Sequence, residues 1–151
     1  MFELGMLKQT KEVMYSSNEV AAVARATLRE LQWWDEHNVI HADFVGRERR
    51  YNVKDLVQAV VIAALRRRGI SLQKIRGYWP QLRCSLAKAH AALESSCTVI
   101  VVANSKLALV FEKWDAVFPF MADSSCAWTV IELNHELGAN AALIREQRSA
   151  A

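Results

Sequence analysis

The chain lacks the features that mark membrane spans, disulfide scaffolds and most enzymes. No apolar run approaches the ~20 residues needed to cross a bilayer. The longest, Thr98 to Ala103, has the length of a strand. Cys84, Cys97 and Cys126 make an odd count without a CxxC, a poor disulfide framework, and free thiols are expected in a reducing compartment. There is no C-x2-C loop or nearby His pair to give metal-ligand spacing. His37, His41, His90 and His135 stand alone, and Cys84 and Cys97 point to different sides of a helix. No metal and no cofactor are expected. No Ser/His/Asp order, glycine-rich phosphate loop or paired-carboxylate arrangement supports catalysis, so the chain is not expected to be an enzyme. The segment Met1 to Met14 carries Glu3, Lys8, Lys11 and Glu12 and has no apolar stretch of the signal-peptide kind. A cytoplasmic location without membrane contact is the expectation.

What the chain does have is apolar content and a lopsided charge. Its 151 residues are 52% hydrophobic, enough for a packed core in one medium domain or two small ones. The net charge of +3 is unevenly spread. Residues 1–83 carry 14 Lys/Arg against 9 Asp/Glu, and residues 84–151 carry 5 against 7. A polyanion partner is therefore suggested for the first half alone.

Two capping boxes lie eleven residues apart. Ser16-Ser17-Asn18-Glu19 starts a short helix to about Ala24, with Val20, Val23 and Ala24 on one side. Thr27-Leu28-Arg29-Glu30 starts a second, to about His37. Such close starts require a tight turn at Arg25-Ala26, the outline of a helix-turn-helix. On the second helix Leu28, Leu31 and Trp34 are expected to face inward and Arg29, Gln32, Trp33 and Glu36 outward. Arg can bind guanine edges or phosphates, and Gln can pair with adenine.

Ile40 to Phe44 and Arg49 to Tyr51 are expected to pair as a hairpin around Val45-Gly46-Arg47-Glu48. Arg47, Arg49 and Arg50 crowd onto it, as in a wing that grips phosphates. Asn52 caps a third helix whose apolar face runs from Val53 to Leu65, and Arg66-Arg67-Arg68-Gly69 ends it. Ser71 caps a short fourth helix, which is expected to break at Trp79-Pro80. Gln81 to Ser96 follows as a further helix with a stripe of Leu82, Leu86, Ala89 and Leu93.

The remainder alternates: strands at 98–102 and 106–111, a helix at 113–122, a strand at 127–133, and a last helix from an Asn134 cap to about Gln147. Phe111, Trp114, Phe118, Phe120 and Trp128 make this half rich in aromatics. Core plus dimer interface is the favoured reading. An effector pocket lined by Phe111, Trp114, Phe118 and Trp128 is the alternative.

The first half resembles the MerR family of transcription regulators. Glu19-Val20-Ala21 stands where that family has E-L-A, and Leu31-Gln32-Trp33-Trp34-Asp35 where it has L-R-Y-Y-E. Val39-Ile40 matches the opening of the wing, and Arg49 to Leu56 matches R-x-Y-x-x-x-D-L. Arg67 to Ile75 matches L-G-F-S-L-E-E-I. Three departures stand out: Arg25 replaces a glycine at the turn, Gln32 an arginine, and Trp33 a tyrosine.

The resemblance implies double-stranded DNA as partner, a homodimer on a pseudo-palindromic promoter site, RNA polymerase as a further partner, and a place at the bacterial nucleoid. It implies DNA contacts from Thr27, Arg29, Gln32 and Trp33 on the helix and from Arg47, Arg49, Arg50 and Tyr51 on the wing. The expected fold is α+β and mainly helical, with four parts. These are an extension (1–14), a winged helix-turn-helix (15–79), a linker or dimerisation helix (80–97), and a β-β-α-β-α unit that dimerises or senses (98–151). The rival readings are an architectural, excisionase-like DNA-bending protein and an antitoxin-like protein-interaction module.

Overall fold

The computed structural model describes residues 13–95, 97–123 and 125–138. Most of the expected extension lies outside them, as does the expected last helix beyond residue 138, with Ala141 and Ile144.

The early helices start where side chains satisfy their free backbone donors. Helix α1 (Ser17–Ala24) follows Ser16, whose hydroxyl accepts from the Glu19 N–H at 3.2 Å, while the Glu19 carboxylate accepts from the Ser16 N–H at 3.0 Å. Thr27 and Glu30 cap α2 (Leu28–Glu36) in the same reciprocal way, and Asn52 and Asp55 cap α3 (Val53–Arg67). Ser71 caps α4 (Leu72–Glu94).

The ends of α1 and α3 are equally defined. Past α3, Gly69 at φ 94° lets the Ile70 N–H reach the Leu65 carbonyl at 3.1 Å. Past α1 the same closure joins the Ala26 N–H to the Ala21 carbonyl at 3.0 Å. The left-handed position there is filled by Arg25 at φ 56°, ψ 44°. An L side chain costs about 1–2 kcal/mol in that conformation, so this turn holds strain that a glycine would not.

Strands β1 (Tyr15–Ser16), β2 (Asp43–Val45) and β3 (Glu48–Tyr51) form an antiparallel sheet in the order β1-β3-β2. Val45 pairs with Glu48 across Gly46-Arg47, with Gly46 at φ 67°. Strand β1 was not foreseen. The expected start of β2 at Ile40 is corrected to Asp43: Ile40 is fully buried and its N–H bonds to the Trp34 carbonyl.

The break expected at Trp79-Pro80 does not occur. Helix α4 runs through Pro80, so the division expected between residues 79 and 80 falls inside one helix. A proline there removes one helical hydrogen bond, a cost of roughly 3 kcal/mol. Packing outweighs it, because Tyr78, Trp79 and Leu82 around it are buried and the Trp79 indole donates to the Val39 carbonyl at 2.8 Å.

Beyond α4 come β4 (Ile100–Ala103), β5 (Ala108–Phe111), α5 (Trp114–Ala122), β6 (Thr129–Glu132) and helical residues 133–138. The sheet is antiparallel in the order β5-β4-β6. Asn134 does not cap the last helix; it accepts from the Val99 N–H at 2.8 Å and donates to the Cys97 carbonyl at 2.6 Å.

Both faces of β4 are covered. Val99, Val101 and Ala103 join one core with α1 to α4, while Ile100 and Val102 pack with Val117 of α5. This explains why β4 reads as an unbroken apolar run. It also explains why α3 is buried from Leu56 to Leu65 on more than one face, Gln58 excepted. The stripe of Leu82, Leu86 and Ala89 lies in the same core, so these residues are buried by their own chain.

Burial has an alkaline signature. It pushes the Tyr78 phenol up to about 12 and raises Tyr51 above 10. The fold favours the neutral phenols, so the stability they contribute is present below pH 10 and is lost as pH rises through the raised values. Tyr78 should therefore stay protonated at pH 10 in a phenolate absorbance titration of the native protein, and Tyr51 should ionise at a higher pH than a free phenol. Ionisation of Tyr78 near pH 10 without unfolding would contradict this packing.

Candidate nucleic-acid interface

Helix α2 buries Leu31 and Trp34 and exposes Thr27 at its cap, then Leu28, Arg29, Gln32, Trp33 and Glu36. Leu28 corrects the expectation that it faces inward: it is 50% exposed, next to Arg29. Arg29 has no side-chain hydrogen bond or ion pair among the described residues. The Gln32 amide donates to Glu36 at 2.8 Å. Trp33 stacks on His37 with ring centroids 3.6 Å apart, and the Arg76 guanidinium of α4 lies 5.9 Å from its ring. Trp33, Arg76, Leu72, Gln73 and Gly77 line an open cleft of about 440 Å³.

The Thr27 hydroxyl is already engaged in the cap. It accepts from the Glu30 N–H at 3.0 Å and donates to the Glu30 carboxylate at 3.1 Å. Glu30 in turn pairs with Arg66 at 2.5 Å. In this conformation Thr27 shapes the start of α2 rather than offering a free donor.

The β2-β3 hairpin, the expected wing, separates its residues by strand alternation. Arg49 and Tyr51 share the inner face of β3. Tyr51 is fully buried in the core, which corrects its expected place among the wing's surface contacts. The Arg49 Nε donates to Asp35 Oδ2 at 2.7 Å, and its guanidinium lies 5.5 Å from the Phe44 ring. The hydrogen bond to Asp35 is the main cause that raises the Arg49 pKa, against desolvation. The other oxygen of Asp35 accepts from the Ala42 N–H at 3.0 Å, at the base of the hairpin. One carboxylate on α2 thus holds both the base and the inner strand of the wing. Arg50 and Glu48, on the other face, pair at 2.5 Å. Arg47 stands exposed at the tip with no ion pair among the described residues. Phe44 and Val45 are exposed beside it.

A second cationic cluster sits behind the turn. Arg25, Arg67 and Arg68 converge on Glu136, which is buried, at 3.1, 3.4 and 3.0 Å. Burial opposes the charge on Glu136, but the Arg68 hydrogen bond and the three guanidinium charges outweigh it and hold the carboxyl below the usual range. Burial, and then the neighbouring Arg25, lower the Arg67 pKa against the pull of Glu136. Arg67 also donates to the Ala24 carbonyl at 2.9 Å. The triple arginine is thus internally bonded: Arg66 to α2, Arg67 and Arg68 to Glu136. Sequence reading missed Asp35 and Glu136 as organising residues, since pairs 14 and 68 to 111 positions apart leave no local pattern.

The aromatics of the C-terminal half form a small core of their own. Phe120 packs against Phe111 and Trp128 at 5.5 and 5.0 Å between centroids, over Ile100, Val102 and Val117. Trp114 packs on that core and stacks on Phe118, which is 63% exposed. Cys84, Cys97 and Cys126 are exposed and unbridged. No cluster of three His, Cys, Asp or Glu suited to a metal occurs among the described residues, and no helix among them is long and apolar enough to cross a membrane.

No curated protein matches the chain. Residues 15–82 match the family described as MerR HTH family regulatory protein, a span that holds α1 to α3, strands β1 to β3 and the first half of α4. Over that span, the chain is similar to the MerR HTH family of regulatory proteins.

Proposed function

We propose that this protein binds double-stranded DNA sequence-specifically, as a homodimer on a pseudo-palindromic promoter site. A MerR-type helix-turn-helix domain points to DNA-binding regulation of transcription. The observation that carries the finer reading is the fixed pairing of an exposed helix face with a cationic wing. Arg29, Gln32 and Trp33 are exposed on α2, and Asp35 bonds the hairpin that bears Arg47. Arg29 and Gln32 would read base edges, and Arg47 and Arg50 would meet phosphates. A two-fold dimer would set two such helices on successive turns of the duplex. Its contact surface would lie outside Leu82, Leu86 and Ala89, which the chain's own core occupies. RNA polymerase at the promoter is the further partner this reading implies.

The test is selection of bound fragments from random DNA at two salt concentrations, followed by titration of single variants. Arg47→Ala should weaken binding to every sequence alike and reduce the slope of log K against log salt by about 0.9. Arg29→Ala should cost ~1–3 kcal/mol at the selected site and relax the preference at one base pair. An unchanged slope in Arg47→Ala would remove the wing from the phosphate backbone. Recovery of no preferred sequence would refute the reading as a whole.

A further inference from the structure

We propose that Glu136 is a coupling joint through which the C-terminal sheet sets the pose of the DNA-reading helix. The inference rests on the DNA-binding reading above and goes beyond it to how that site is regulated.

The orientation of α2 relative to α1 is decided over three residues, Arg25 to Thr27. Arg25 holds the left-handed position that closes α1, and Thr27 caps α2. Glu136 reaches this turn by two routes. It binds the Arg25 guanidinium directly at 3.1 Å. It also binds Arg67 at 3.4 Å, and Arg67 donates to Ala24, the last residue of α1. Arg68, at 3.0 Å, fixes the same carboxylate to the end of α3.

Glu136 is anchored in turn to the second sheet. It lies four residues beyond β6, between the buried Leu133, whose N–H donates to the Val99 carbonyl at 2.9 Å, and the partly buried Leu137. A shift of β6 against β4, by a ligand or partner of the C-terminal half, would therefore carry the carboxylate with it. The arginines would then lose the charge that holds them together. Three cations around one carboxylate repel each other once it withdraws. The turn is strained as well, because a non-glycine residue holds φ 56°. Two arrangements of this joint would give the C-terminal half a means of switching α2.

The experiment uses the full chain, the duplex recovered by the selection described above, and a random duplex of equal length. Glu136→Gln keeps the shape and removes the charge. The ratio of selected to random affinity should fall by on the order of tenfold, measured well below the unfolding temperature. Arg25→Gly breaks the direct bond yet suits the left-handed backbone, so it should lower the ratio in the same direction. The double variant should fall short of the product of the two single effects. A ratio unchanged in both single variants, even with a lower melting temperature, would overturn the proposal and leave Glu136 a purely stabilising residue. Should Glu136→Gln fail to fold, Arg25→Gly decides the matter in the same two ways. A wild-type chain with no preference for the selected duplex would refute the DNA reading itself, and the joint with it.

Discussion

Asp35→Ala is expected to lower DNA affinity by at least tenfold while leaving a folded core. Both oxygens of Asp35 are engaged, one by the Ala42 N–H at 3.0 Å and one by the Arg49 Nε at 2.7 Å. Asp35 and Arg49 are each less than one-third exposed. Removal of the carboxylate strands a partly buried guanidinium and a backbone donor together, a loss of about 2 kcal/mol. That figure is lower than for a fully buried pair because solvent screens the arginine. The larger consequence is geometric. The hairpin is held to α2 through this group, so its loss frees Arg47 and Arg50 from a fixed position relative to Arg29. Asp35→Asn should fall between the two, since its amide oxygen still accepts from Ala42 while the charge on Arg49 goes unmatched. Denaturant unfolding paired with DNA titration checks both parts. Wild-type affinity in Asp35→Ala would show that the wing needs no tether.

Leu82→Ala is expected to destabilise the protein by ~2–5 kcal/mol. Leu82 is fully buried in the core that α4 shares with α1, α3 and the second sheet. The shift in melting temperature from wild type should be the same at every protein concentration, because the cavity opens inside one chain. A seam between two chains would behave differently: dilution would enlarge the effect as the partners separate. Leu86→Ala should follow Leu82→Ala, since Leu86 is only 3% exposed. An effect that grows on dilution would reassign this stripe to a dimer contact.

Much of the candidate interface was legible in local pattern. Capping boxes act over three residues, so Ser16/Glu19 and Thr27/Glu30 located the starts of α1 and α2 before any tertiary contact was known. Gly46 marked the wing turn and Gly69 the end of α3, because both positions need positive φ. The unusual Arg25 was visible as a departure from glycine, and it does adopt the strained backbone. Alternation along β3 was less well read. Tyr51 is a large ring two residues from Arg49, so its burial puts Arg49 on the same inner face, where its Nε donates to Asp35. Leu28 was misread for the opposite reason: an apolar residue in the first turn of α2 lies beyond the edge of the core.

Sequence by itself determined the ends of α1 to α3, the hairpin turn, the family resemblance of residues 15–82 and the excess of positive charge in the first half. These depend on interactions within a few residues, whose spacing is written in the chain. Only tertiary structure decided that α4 passes unbroken through Pro80, that the second sheet shares the core of the first half, and that Asp35 and Glu136 gather arginines from distant segments. Such contacts arise when packing brings remote side chains together. Their energies depend on burial and direction, which no period along the sequence encodes.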